Sequence, residues 1–375
     1  MLQAVITLII TIQFAILFIN LFYIYRSKKR ADPCSQSLSL SILIPARNER
    51  DRLPMLLETL CGQGIDEGIE IWVCDDQSTD GTGEWLAEHA ERYSVRWFVG
   101  AELPPGWIGK NWACFQLAQR AAGEWLLFID SDLTFRPGAL EWMTNLLRCT
   151  DAMLVTAIPG LDSPSLGVRL LKAMLPFSVL TLLPLPLAEK SPNPAFAFAN
   201  GQFLAIRKRD YDSLQPHLQL RGQVLEDVAF AALVKRAGGR VWIVSARDQI
   251  KAVMYTTLAE AVRGFAKNAV AICRGVPKAL IVMFLLGLVY GWPIISLLVG
   301  NWSSLWHWWV VGQSALLFGL AQRVVGLAWY HALLYPISVA LGIWTLGYSI
   351  WWYRCGVIQW KDRSYRLDST SSPPR

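Results

Sequence analysis

Leu2 to Tyr25 runs without a single charged residue and is followed at once by "RSKKR", Arg26 to Arg30. A helix of that length crosses a hydrocarbon core about 30 Å thick, so a chain carrying it is committed to a bilayer before any other element is considered. A secretory signal puts its charge ahead of the apolar stretch and a cleavage site behind it. Here the charge lies behind, so the segment reads as an uncleaved anchor, and the Lys/Arg excess places the following domain in the cytoplasm. Composition agrees with a chain living partly in lipid: 53% of residues are hydrophobic, 18 are Trp, and the mean hydropathy is +0.32. The net charge of +6 comes with no long basic run, which leaves nucleic acid without a footprint. The seven cysteines show no CxxC or Cys/His spacing, against a zinc site or a disulfide framework and in keeping with a reducing compartment.

The C-terminal region is apolar again. Ala279 to Val299 is uncharged and long enough to span, Trp302 to Ala321 is Trp-rich, and Val324 to Tyr353 closes against Arg354. Two or three crossings are expected. A basic tail, "RCGVIQWKDRSYR", belongs in the cytoplasm, which with the N-terminus outside requires an even number; the Trp-rich segment would then lie in the outer interface, where Trp is enriched. Ala173 to Ala188 is shorter and broken by Pro176, Pro184 and Pro186, so it is expected to rest in or on the bilayer. Between Tyr255 and Lys278, Arg263, Lys267, Arg274 and Lys278 share one helical stripe opposite Leu258, Val262, Phe265, Ala269, Ile272 and Val276. That is the pattern of a helix in the headgroup plane, or of an ordinary surface helix packed on protein. The chain thus divides into an anchor with basic flank (1–30), a cytoplasmic domain (37–255), an interfacial helix (256–278), a membrane region (279–353) and a tail (354–375). A multi-pass cell-membrane protein is expected.

From Ser37 to Tyr255 short apolar runs alternate with helical patterns: "LSLSILIP", "IEIWVCDD", "VRWFVG", "EWLLFI" and "AMLVTAI" are strands with helices between them. This predicts an α/β domain with a mostly parallel, Rossmann-like sheet covered on both faces. In such sheets ligands sit beyond the carboxyl ends of the strands. Those ends carry "PARNE" (Pro45, Arg47, Asn48, Glu49), Asp75 and Asp76 in "DDQSTDGT", and Asp130 and Asp132 in "FIDSD".

Two carboxylates one residue apart repel unless a cation or a shared proton intervenes. Mg²⁺ or Mn²⁺ takes one or two carboxylates and completes its shell with water and substrate phosphates, so Asp130 and Asp132 suggest a metal-bound nucleotide diphosphate. Asp75 and Asp76 can accept hydrogen bonds from a base or ribose, while Asp80, Gly81 and Thr82 read as a helix-capping turn. Glu226 and Asp227, in "GQVLEDVAF", open an amphipathic helix. Asp227 either caps that helix or is the general base that takes a proton from an acceptor hydroxyl. "DSDLT" alone also fits the nucleophile of haloacid-dehalogenase phosphatases, but there the motif sits on the first core strand, and "DDQSTDGT" would be idle.

"SILIPARNE", "DDQSTDGT", "FIDSD" and "LED" occur in the order seen in family 2 glycosyltransferases, which the stretch from about Ser37 to Lys267 resembles. "PPGWIGKNWA", "MYTTLAEAVRGFAKN" and "WKDRSY" are similar to the membrane-bound subgroup of carotenoid, diaponeurosporenoate and hopene-associated glycosyltransferases. The resemblance implies a GT-A fold and a nucleotide-diphosphate sugar donor bound around Pro45, Asn48, Glu49, Asp75 and Asp76. It implies Asp132 as metal ligand, Asp130 near the donor ribose or sugar as well as the metal, and Lys110 facing the donor phosphates. It further implies Asp227 as base of an inverting displacement, Glu226 as its support, and Asn200, Gly201 and Gln202 lining the site of a lipid acceptor. Processive relatives carry Gln-x-x-Arg-Trp near the interfacial helix; here Glu260, Arg263 and Gly264 lack both Gln and Trp, which favours transfer of one sugar. Sphingoid and polyprenyl-phosphate acceptors, and a non-catalytic nucleotide-sugar-binding protein, are the alternatives.

Overall fold

The computed structural model describes residues 1–28, 38–355, 357–360 and 363–366. Lys29 and Arg30 of the basic flank, and Gly356, Lys361, Asp362 and residues 367–375 of the tail, lie outside the described residues. The first half of the chain runs α1 (Leu2–Lys28), β1 (Leu40–Ala46), α2 (Leu53–Cys61), β2 (Ile69–Asp75), α3 (Thr82–His89), β3 (Arg96–Val99), α4 (Gly109–Arg120), β4 (Trp125–Ile129), β5 (Leu133–Phe135), α5 (Ala139–Arg148) and β6 (Leu154–Leu161). There follow α6 (Leu166–Lys172), α7 (Met174–Leu182), α8 (Leu185–Lys190), β7 (Phe203–Arg207), α9 (Lys208–Leu214), α10 (Pro216–Gln219), α11 (Glu226–Arg236) and β8 (Val241–Ala252). The chain then forms α12 (Leu258–Ile272), α13 (Val276–Leu286), α14 (Trp292–Leu298), α15 (Leu305–Val324), α16 (Tyr335–Arg354), β9 (Val357–Trp360) and β10 (Arg363–Arg366). Two compact units result: Phe22–Gly160 with Leu185–Val253, and Met1–Leu21 with Leu161–Pro184 and Met254–Arg375.

The first unit is of the α/β class expected, though Leu161–Pro184, expected within the same domain, belongs to the second unit. The sheet of the first unit, in the order β3-β2-β1-β4-β7-β6-β8-β5, has eight strands. It is parallel from β3 to β4, while β7 runs antiparallel to β4 and β6, and β8 antiparallel to β5. The central strand β4 is apolar throughout because both faces are covered, and every one of its residues is buried. In the parallel half, β1 lies between β2 and β4 and pairs Ala46 with Asp75 and Leu43 with Phe128. This register brings "PARNE", "DDQSTDGT" and "FIDSD" to one edge of the sheet. The antiparallel half was not evident from the alternation, since helices also separate β6 from β7 and β7 from β8, and nothing local marks the reversal of those strands.

The second unit is helical. Among the described residues three helices, Leu2–Ser27, Val276–Leu298 and Trp329–Arg354, are long and apolar enough to cross a membrane. Pro293 cannot donate a backbone hydrogen bond, and the second of these helices passes through a π-helical turn, Gly287–Gly291, just before it. Asn20, fully buried in α1, donates to the carbonyls of Leu180 (2.9 Å) and Leu183 (2.8 Å), satisfying groups left open where α7 ends ahead of Pro184. Within α7, Phe177 stacks on Phe318 of α15 at 3.9 Å, with Tyr290 edge-on at 5.4 Å. α12 opens on a reciprocal cap, Thr257 Oγ1 accepting from Glu260 N while Glu260 Oε2 accepts from Thr256 N. Its apolar side finds protein: Leu258, Val262 and Phe265 pack with Val168 and Leu171 of α6 and Leu341 and Tyr348 of α16. Arg263, Arg274 and Lys278 are exposed, as is Ile272.

Candidate active site

The turns after β1 and β2 brace each other. Asp76 N donates to Ala46 O (2.7 Å), and the Arg47 guanidinium donates to the carbonyls of Asp76 and Gln77. Asn48 has φ +52°, a left-handed geometry that Asn tolerates, and is fixed by its N–H on Ser78 Oγ and by Thr79 N on its Oδ1, both 2.9 Å. Glu49 N donates to Thr82 Oγ1 (3.0 Å). Asp80 accepts from Thr82 and from Arg50 N; partial burial works against its charge, but these bonds hold its carboxyl below the ordinary range. Asp80 thus closes the turn ahead of α3, but Thr82 is the first residue of that helix rather than its cap: the N-cap position is Gly81, with no side-chain cap bond. Asp75 and Asp76 are both buried, and Asp75 Oδ1 accepts from Ser78 N at 3.1 Å, so Asp75 shapes the turn. Its Oδ2 lies where a Cβ on residue 83 would come to 2.8 Å, which is room that Gly83 provides.

Asp130 and Asp132 follow β4 directly. Asp132 Oδ1 accepts from Gln202 Nε2 (2.9 Å), and its backbone carbonyl accepts from Val253 N (2.9 Å). Burial, then the charge of Asp130, push the Asp132 carboxyl up to about 6, with Gln202 opposing and Glu49 adding to the rise. The oxygen-only donor set of the site suits a hard divalent ion with Asp130 and Asp132 as ligands. Among the described residues no group of three or more His, Cys, Asp or Glu has metal-binding geometry, so such an ion would complete its shell with water and substrate oxygens.

Glu226 and Asp227 are the first residues of α11, where the helix dipole favours negative charge. Asp227 Oδ2 accepts from Gly201 N (3.0 Å) and Oδ1 from Val228 N (2.7 Å), so it supports the helix start without being the N-cap residue, which is Leu225. Burial and then Glu226 push its carboxyl up to about 6, against the pull of Lys110 and of its two backbone donors. A Cβ on residue 201 would meet Lys110 Nζ at 3.2 Å, Glu226 Oε1 at 3.3 Å and Asp227 Cβ at 3.4 Å, so glycine lets the strand approach the carboxylates. Beneath them His217 bonds to the Tyr211 hydroxyl (2.9 Å) and packs against Phe128; burial holds it neutral, with its pKa down to about 3.

The residues expected at the donor phosphates and the acceptor make contacts within the site itself. Lys110 points into the carboxylates, 2.8 Å from Asp130 and 2.9 Å from Glu226. Gln202 and Gly201, expected against an acceptor, bond to Asp132 and Asp227; Asn200 takes Gln202 N on its Oδ1 and donates its own N–H to Thr156 Oγ1 (2.8 Å). Thr156 was missed, since a lone Thr in an apolar strand carries no signal. "ANGQF" itself was legible as a break in an apolar run; its partners were not.

Residues 41–214 match the family described as Glycosyl transferase family 2. That match covers somewhat less than half of the chain. A 4,4'-diaponeurosporenoate glycosyltransferase of Staphylococcus haemolyticus is 29% identical over 214 residues, 56% of this chain and 54% of that protein. A Staphylococcus aureus protein of the same name is 36% identical over 109 residues, 28% of each chain. The chain thus spans about half the length of the first relative and little more than a quarter of the second. Among solved structures, a mannosyltransferase of Pyrobaculum calidifontis, in complex with GDP-Man and Mn²⁺, has a TM-score of 0.55 at 16% identity, covering 94% of this chain and 100% of its own. That likeness is one of fold, and it places the glycosyltransferase domain in the GT-A class.

Proposed function

We propose that this protein is a membrane-bound, inverting glycosyltransferase that moves one sugar from a nucleotide-diphosphate donor to an isoprenoid lipid such as a carotenoid or hopanoid. The observation that carries the reading is the meeting of three carboxylate clusters at one sheet edge of a family 2 domain: Asp75–Asp76, Asp130–Asp132 and Glu226–Asp227. The turn residues Pro45, Asn48, Glu49 and Asp76 would hold the nucleotide. Asp227 would accept the proton of an acceptor hydroxyl as that oxygen bonds to the sugar's anomeric carbon; the bond from that carbon to the diphosphate breaks on the opposite face, and configuration inverts. Mg²⁺ or Mn²⁺ on Asp130 and Asp132 would neutralise charge on the departing diphosphate. Gln202 keeps Asp132 oriented for that task.

The names of the curated relatives support a carotenoid-type acceptor. The chain's apolar helices support a lipid one. Drawing an isoprenoid of several hundred Å² into water costs on the order of 25 cal/mol per Å², so the acceptor is best used where it resides. An N-terminal span followed by two C-terminal spans satisfies the positive-inside rule, with the domain and tail cytoplasmic.

The test uses membranes containing the protein, a panel of labelled nucleotide sugars and a lipid extract supplemented with carotenoids and hopanoids. Metal-dependent label in the organic phase, abolished by EDTA, is the expected result. Nucleotide release without labelled lipid would refute the acceptor class. Donor binding without any turnover would replace the enzyme with a nucleotide-sugar-binding protein.

A further inference from the structure

The sequence motif "PPGWIGKNWA" opens α4, and its Lys110 and Asn111 have contacts that nucleotide binding does not require. Lys110 Nζ lies 2.8 Å and 3.1 Å from the two oxygens of Asp130, 2.9 Å from Glu226 Oε1 and 3.4 Å from Gly201 O. An ammonium has three hydrogens and a single charge. Asp130, Glu226 and Gly201 take up all three, so Lys110 can reach a phosphate only by releasing one of them. Asp130 follows the strand β4, Glu226 begins α11, and Gly201 carries the N–H that holds Asp227. Lys110 therefore touches the donor end, the base helix and the base's own anchor.

The next residue repeats the connection in neutral form. Asn111, 1% exposed, donates through Nδ2 to the carbonyls of Leu220 (2.8 Å), Gln223 (3.2 Å) and Arg221 (3.3 Å). Ile108 N adds a bond to Arg221 O at 2.8 Å. The first turn of α4 thus grips the loop that feeds α11, while Lys110 grips the first residue of that helix by charge.

We infer that Lys110 is a positioning residue that sets the base end of the site from the donor end: by pairing with Asp130 and Glu226 together it fixes the start of α11, and with it the aim of Asp227. The inference rests on the reading of Asp227 as base. Without Lys110, Glu226 and Asp130 keep their charges and lose their common partner, and Asp227 shifts with its helix.

The experiment compares K110M, K110R, E226Q and K110M/E226Q in the full-length protein in membranes. Donor Kd, kcat for lipid transfer and melting temperature are measured for each. K110M should lower kcat by about 100-fold, as expected for misplacement of a reacting group by about an ångström, with donor Kd within about threefold. K110R, which keeps the charge, should recover part of that loss. K110M/E226Q should turn over faster than K110M, because the stranded charge is gone. A K110M enzyme whose donor Kd rises tenfold or more at unchanged kcat would make Lys110 a phosphate ligand and overturn the proposal, as would a double variant no faster than K110M. Should the wild type transfer nothing to lipid, the melting temperatures decide: less-than-additive losses in the double variant support the bridge, and additive losses overturn it.

Discussion

Replacing Asp227 with Asn tests the centre of the reading. The carboxylate has two oxygens and two backbone donors, Gly201 N on Oδ2 and Val228 N on Oδ1. A carboxamide of the same shape can serve only one of them, and its NH₂ must then face the other N–H. The lost charge-assisted bond costs about 1.5–3 kcal/mol of stability. The catalytic effect is larger. With its pKa pushed up to about 6 by burial and Glu226, Asp227 is ionised at pH 7.5 in roughly thirty molecules for each protonated one, and is a stronger base than an ordinary carboxylate. Asn accepts no proton, so kcat should fall by about 10²–10⁴, or about 3–5 kcal/mol in the barrier. Neither bond of Asp227 involves the turns after β1 and β2, so donor Kd should stay within about threefold. The assay pairs single-turnover transfer to lipid with donor binding followed by Trp fluorescence, on protein whose melting curve shows it folded. A D227N enzyme within tenfold of wild-type kcat would remove Asp227 as base. Equal losses in kcat and donor affinity would place it in the donor site instead.

Two further outcomes follow from the same geometry. Gln202→Leu removes the amide on Asp132 Oδ1 and should weaken Mn²⁺ binding by about 10–100-fold, as lost supporting bonds do in metal sites, with nucleotide affinity measured in EDTA unchanged; an unaltered Mn²⁺ affinity by calorimetry would sink the assignment. The pH profile of kcat/KM should rise with pH through about 6 and level above it, because the base works only when ionised and burial has raised its pKa; a profile flat down to pH 5 would contradict that sign.

The sequence by itself marked a segment long and apolar enough to cross a bilayer, and the α/β class. Unbroken apolar length in Leu2–Tyr25 and the strand–helix alternation before Asp132 are local properties, and each forces its element whatever lies elsewhere. It also named the carboxylates, since Asp75, Asp76, Asp130 and Asp132 stand at strand ends where charge interrupts apolar runs. Tertiary structure alone decided what each carboxylate faces. Lys110 meets Glu226 and Gly201, and Gln202 meets Asp132, across separations of 91 and 70 residues for Lys110–Gly201 and Gln202–Asp132. Contacts of that span depend on strand order and register, which no local pattern encodes. The reversal of β7 beside β4 is what carries "ANGQF" back to the carboxyl end of the parallel strands. It also decided the partner of the α12 apolar face: periodicity says that Leu258, Val262 and Phe265 must be covered, and only packing shows that α6 and α16 cover them.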